Sequence, residues 1–106
     1  MTQQARNQQE DAGMKTLENK IAVVTGASAG IGAATARALS DAGATLVVVA
    51  RREDRLAALT AELGEGASYL AIDLADDSAP AAVHDFVMSR HGRADIVVNN
   101  AGILNV

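Results

Sequence analysis

The sequence predicts a doubly wound α/β domain, a parallel sheet in the strand order 3-2-1-4 that stops after its fourth strand. Three observations carry that expectation. Short apolar runs alternate with longer segments of helical spacing, in the order β-α-β-α-β-α-β with short connections. The runs Ile21-Ala22-Val23-Val24-Thr25 and Thr45-Leu46-Val47-Val48-Val49-Ala50 are apolar at nearly every position, as in strands covered on both faces. The first strand enters its helix through a glycine-rich turn, Gly26-Ala27-Ser28-Ala29-Gly30-Ile31-Gly32.

Residues 1–14 are polar and glutamine-rich, with no apolar periodicity, and are expected to be a disordered tail before a domain spanning 15–106. The first strand covers 21–25. The helix after it begins near Gly30 and carries Ile31, Ala34, Ala38 and Ala42 at helical spacing. Its small residues let it lie close to the sheet, and Gly43 is placed to end it in the left-handed region. A second strand spans 45–50. A second helix, 52–63, puts Leu56, Leu59 and Leu63 on one stripe and stops at Gly64. A short third strand lies around 69–72. Asp76, Asp77 and Ser78 offer N-caps to a third helix, and Pro80 suits its first turn. Val83, Phe86 and Val87 form that helix's inner side, Gly92 closes it, and a fourth strand runs over 95–99.

Composition narrows the function classes. The 106 residues make one domain at most. Nine basic against thirteen acidic residues give a net charge of −4, so no general basic field draws nucleic acid or an anionic membrane. An anion site must then be local. The chain has no cysteine, which excludes disulfides and thiolate metal sites. No apolar run approaches a membrane span, and the first residues lack the basic-then-apolar order of a secretory signal, so a cytoplasmic location is expected by elimination. His84 and His91 share the third helix with no third ligand in view and read as surface histidines.

The turn after the first strand has the chemistry of a phosphate cradle. Small residues free backbone N–H groups, and a helix N-terminus aims its partial positive charge at the same place. Gly26 permits the tight turn, and Gly30 and Gly32 are expected to let a phosphate approach the backbone. The spacing excludes two other glycine motifs. A P-loop would need a second glycine where Ile31 stands, followed by Lys, and G-x-G-x-x-G fails at Ser28.

What stands here is T-G-x-x-x-G-I-G, and Asn99-Asn100-Ala101-Gly102 closes the fourth strand. Together these resemble the short-chain dehydrogenase/reductase family, over residues 15–106. The resemblance implies a Rossmann-type sheet that binds a nicotinamide dinucleotide at the carboxyl ends of strands 1 and 4. It implies that Gly26, Ser28, Ala29, Gly30, Ile31 and Gly32 line the pyrophosphate. Ser28 can also be a turn-former bonding its own backbone. At the end of the second strand, where an NAD-type domain holds an acid, this chain has Ala50 followed by Arg51 and Arg52. A guanidinium there can bind a ribose 2′-phosphate, so NADP(H) is expected in preference to NAD(H), with Arg51 the principal residue. The plainer alternative is two solvated arginines at a helix start. Many NADP-using relatives carry an arginine where this chain has Ala29.

By the same resemblance, Asp73 accepts a bond from the adenine amino group and the backbone of Leu74 touches the ring; otherwise Asp73 caps its own loop. Asn100, Ala101 and Gly102 line the adenosine ribose, and the asparagines tie the fourth strand to its neighbours. The family's chemistry needs a Tyr, with a Lys three residues beyond it to lower its pKa, plus a Ser and a further Asn. The one tyrosine here, Tyr69, has no Lys at that offset, so no catalytic residue is assigned and the chain alone is expected to be inactive. Three possibilities follow: the cofactor-binding half of a longer oxidoreductase, one chain of a split enzyme, or a non-catalytic NADP(H)-binding or interaction module. In each, the fourth strand is an apolar edge that an oligomer or a partner chain would cover.

Overall fold

The computed structural model describes residues 16–100. Seven elements alternate along it: β1 (Ile21–Thr25), α1 (Gly30–Asp41), β2 (Thr45–Ala50), α2 (Glu53–Leu63), β3 (Ser68–Ala71), α3 (Ala79–His91) and β4 (Ile96–Asn99). The strands form a parallel sheet in the order β3-β2-β1-β4. The chain therefore moves outward from β1 to β3, then crosses back to place β4 on the other side of β1. The order reverses between β1 and β4, where sheets of this kind open a crevice at their carboxyl edge.

Burial follows the two-faced strand pattern. On one face Ala22, Val24, Leu46, Val48 and Ala50 meet Ala33 and Ala36 of α1 and Leu56 and Leu59 of α2. On the other, Ile21, Val23, Val47 and Val49 meet Val87 of α3, with Val83 and Phe86 half-buried beside it. Each buried Val or Leu contributes about 1.5–3 kcal/mol relative to exposure. Two helices thus cover the first face and one the second. Most strands and helices begin within a residue of their expected positions, and Gly43, Gly64 and Gly92 follow the three helices with positive φ.

Two local expectations are corrected. The spacing of Ile31, Ala34 and Ala38 does not mark the inner side of α1: Ile31 is 79% exposed, and the buried positions are Gly32, Ala33 and Ala36. The rotation of α1 is fixed by Gly32 meeting the backbone of the preceding turn, and Ile31, about 100° around the helix, is carried outward. Ahead of α3, the N-cap is Ser78, whose side chain makes no capping bond. Asp76 instead closes the turn before the helix, accepting from the Ser78 N–H at 2.8 Å and its hydroxyl at 2.7 Å.

The amino ends of β1 and β4 are joined by a carboxylate. Asp95 Oδ2 accepts from the Ile21 N–H at 2.8 Å and from Arg93 Nε at 3.0 Å, and the Asp95 N–H donates to the Ile21 carbonyl at 2.9 Å. Arg93 also donates to the carbonyl of Asn19. The Ile21 N–H, and then the Arg93 guanidinium, hold the Asp95 carboxyl below the usual carboxylate range. A carboxyl depressed on folding stabilises the fold above its unfolded value of about 3.9, and that contribution is lost as pH falls through the folded value. Asp95→Asn is expected to lower the melting temperature at pH 7, and the gap from the parent should narrow in melts taken below about pH 4. A gap independent of pH would show that the carboxylate does not join these strands.

Candidate functional site

The register levels the carboxyl ends of the strands. Thr25 lies beside Val49 on β2 and Asn99 on β4, and Ala50 lies beside Ala71 on β3. Residues following each strand therefore line one edge of the sheet: the turn from Gly26, then Arg51, Asp73 and Asn100. Ala101 and Gly102 lie outside the described residues.

The turn is hooked over β2. The N–H groups of Gly26 and Ala27 both donate to the Val49 carbonyl, at 2.8 and 3.3 Å. Gly26 has φ +68°, a left-handed conformation that glycine adopts without strain. Gly32 serves another purpose than the one expected of it. A Cβ there would stand 2.1 Å from the Gly26 carbonyl oxygen and 2.9 Å from its carbon. Its missing side chain makes room for the protein's own turn, which lets the N-terminus of α1 close onto β1. Gly30 is different, because nothing lies within 4 Å of where its Cβ would be, and its φ is +61°.

Above Gly30 the end of α1 is bare. Ala29 is the N-cap, extended and exposed; no side chain caps the helix, and no acid stands in its first turn. The first N–H groups of a helix have no internal partner and carry its positive end, so this geometry suits a phosphate. Ser28 is half-buried within the turn, and exposed Ile31 offers an apolar surface beside it.

The two arginines after β2 differ. Arg52 is the N-cap residue of α2, and its guanidinium is engaged by Asp54, with Nε–Oδ1 and Nη2–Oδ2 distances of 3.2 and 3.1 Å. Arg51 is exposed and makes no ion pair or hydrogen bond among the described residues. Past β3, Asp73 Oδ1 accepts from the Ala75 N–H at 2.9 Å, the loop-capping role that sequence left open. Half-buried Leu74 packs against the second core face, which fixes the backbone on either side of it.

Between β1 and β4 stands a latch of the kind expected of the asparagines, with Thr25 as its partner. The Thr25 hydroxyl donates to Asn99 Oδ1 at 2.9 Å and lies 3.4 Å from the Val98 carbonyl. A Thr closing an apolar strand, with Asn closing another, was the available signal. The amide nitrogen of half-buried Asn100 is shielded from water and finds no acceptor among the described residues.

Other groups lie apart from this edge. Tyr69 donates its hydroxyl to Glu53 Oε2 at 3.0 Å, and this bond raises the phenol's pKa, the opposite of what proton abstraction requires. A polar groove of about 530 Å³ opens at the other end of the sheet, where Asp41, Glu62 and Glu65 face Arg37 and would repel a phosphate. Among the described residues no group of His, Cys, Asp and Glu is placed to hold a metal, and no helix is long and apolar enough to cross a membrane.

The sequence matches the short chain dehydrogenase family over residues 20–106. The chain belongs to that family. It is 45% identical over 87 residues to the 3-oxoacyl-(acyl-carrier-protein) reductase of Vibrio harveyi, covering 82% of this chain and 36% of that protein. It is 38% identical over 90 residues to (+)-borneol dehydrogenase 1 of Salvia officinalis, covering 85% and 35%. Among solved structures, L-sorbose reductase of Gluconobacter frateurii, complexed with NADPH and L-sorbose, superposes with a TM-score of 0.77 at 40% identity. That match covers 82% of this chain and 35% of the other. The 3-ketoacyl-(acyl-carrier-protein) reductase of Brucella melitensis, complexed with NADH, gives 0.73 at 30% identity, covering 77% and 34%. The chain spans about a third of the length of the curated relatives it matches. Neighbours of this short-chain dehydrogenase chain thus bind NADPH in one case and NADH in another.

The two glycines of the turn should respond differently to alanine. Gly32→Ala drives a methyl into the Gly26 carbonyl and should destabilise the fold by at least about 1–3 kcal/mol. Gly30→Ala meets no atom and should cost only the left-handed backbone, about 1–2 kcal/mol. Urea denaturation of both variants checks the order, and an equal or reversed ranking would contradict the close contact.

Proposed function

We propose that residues 15–106 form the NADP(H)-binding half of a short-chain oxidoreductase. When bound, the dinucleotide supplies or accepts the hydride exchanged with an alcohol or carbonyl substrate. The observation that carries the proposal is the pairing of the bare N-terminus of α1, open above Gly30, with Arg51 one strand away, which has no partner among the described residues. The backbone N–H groups at Ala29, Gly30 and Ile31 and the hydroxyl of Ser28 hold the pyrophosphate, while Gly26 and Gly32 keep helix and turn in contact. Arg51 takes the 2′-phosphate. Arg52, already satisfied by Asp54, has the lesser part. Asp73 keeps one carboxylate oxygen for the adenine amino group after capping its loop, and Leu74 anchors the backbone under the ring. Asn100, Ala101 and Gly102 border the adenosine ribose.

Among the described residues no side chain is placed to move the substrate's proton. Tyr69 is bonded to Glu53 and has no lysine beside it, so the described half binds and orients without completing the reaction. A partner chain bearing the proton-transfer residues is the second reading, and the open outer edge of β4 favours it over a self-contained binding module.

Arg51→Ala should weaken NADPH binding roughly 10- to 150-fold, the loss of about 1.5–3 kcal/mol from a charge-assisted contact, and leave NADH binding within about twofold. Fluorescence titration with both cofactors checks this, and equal losses for the two would remove the 2′-phosphate assignment. The chain alone should show no carbonyl-dependent NADPH oxidation by absorbance. Measurable turnover would place the proton donor within these residues.

A further inference from the structure

Four consecutive charges follow β2: Arg51, Arg52, Glu53 and Asp54. Two cations against two acids leave this corner neutral, a poor place for a 2′-phosphate unless the acids are engaged elsewhere. Both acids stand in the first turn of α2, where the positive end of a helix favours them. The helix and a phosphate thus make opposite demands on one short stretch.

Arg52 takes up Asp54 through two contacts, at 3.2 and 3.1 Å. Arg51 and Glu53 stand at the same two-residue spacing and are both exposed, so the same pair is expected between them. It does not form. Glu53 Oε2 instead accepts from the Tyr69 hydroxyl at 3.0 Å, sixteen residues along the chain. The sheet sets that reach. Tyr69 lies beside Val48 in the register and packs against the first core face with Leu56 of α2, which brings β3 under the start of that helix. The bond also raises the phenol's pKa, so Tyr69 remains a donor at neutral pH. A hydrogen bond to a carboxylate outweighs an exposed ion pair, which is why Glu53 stays with Tyr69.

We infer that Tyr69 is a positioning residue for the cofactor's 2′-phosphate: by holding Glu53, it keeps Arg51 unpaired and open to that group. Tyr69 itself stands off the cofactor edge and acts on it through Glu53. The inference rests on the 2′-phosphate reading of Arg51 and adds the residue that keeps Arg51 available. Without the hydroxyl, Glu53 turns to Arg51, and NADPH must break that pair and meet an added negative charge. NADH, with no 2′-phosphate, meets neither cost.

The test titrates NADPH and NADH by fluorescence against the 106-residue chain and its Tyr69→Phe, Glu53→Gln and doubly substituted forms. Tyr69→Phe should weaken NADPH about two- to fivefold, the worth of one exposed ion pair, and leave NADH within about 1.5-fold. Glu53→Gln should not weaken NADPH, and combined with Tyr69→Phe it should cancel the loss. Equal losses for both cofactors would make Tyr69 merely structural, and a loss that survives Glu53→Gln would bypass Glu53; either result overturns the inference. A second readout needs no cofactor. The ¹⁵Nε resonance of the Arg51 side chain should move in Tyr69→Phe and return in the doubly substituted form, and a signal that stays in place would also overturn it. Should Arg51 respond while the parent binds NADPH no better than NADH, or binds neither, the 2′-phosphate reading falls and the sparing of Arg51 by Tyr69 is upheld.

Discussion

The structure depends on one contact in which a side chain is impossible. The N-terminus of α1 rests on the turn that leaves β1, and only a residue without a Cβ can stand at position 32. That contact sets the rotation of α1. It brings Ala33 and Ala36 onto the sheet, turns Ile31 outward, and holds the bare end of the helix above the carboxyl end of β1. Packing and the proposed anion site share one cause here. A methyl at 32 would lift the helix, and the backbone donors would lose their aim as the first core face lost its cover.

A second set of constraints keeps β4 beside β1. These strands are far apart in sequence, and the sheet's edge gives β4 one neighbour. Asp95 fastens their amino ends through the Ile21 N–H, and Thr25 fastens their carboxyl ends through Asn99. With only four paired residues between them, the two polar ties do much to set the register. The position of Asn100 relative to the glycine turn follows from the upper tie. The shape of the candidate site is thus determined by hydrogen bonds below its surface as well as by the glycines that line it.

The fold was legible because each signal was local and repeated. Two-faced apolar strands, leucines at helical spacing in α2 and glycines after each helix all pointed to the same alternation, and the strand order then followed from crossover handedness. The inner face of α1 was not legible because alanine and glycine give a weak apolar stripe, and a long-range backbone contact decides it. Sequence set Arg51 above Arg52 by resemblance alone, with no physical ground for the order. Their difference lies in Asp54, two residues from Arg52 and within reach only once α2 has begun. A tie from the asparagines to a neighbouring strand was implied by the resemblance and is made by Asn99 to Thr25, whereas the tie of Asp95 to Ile21 spans more than seventy residues, a separation over which a single sequence gives no pairing.

The account stands on the claim that the β1–α1 turn and Arg51 act together on one dinucleotide. The most direct measurement is an NMR titration of the ¹⁵N-labelled chain with NADP⁺. Backbone amides of Ser28 to Gly32 should shift together with that of Arg51, on one saturation curve, while amides around the acidic groove at Asp41 and Glu65 stay in place. Shifts confined to that opposite groove, or a turn that moves without Arg51, would contradict it.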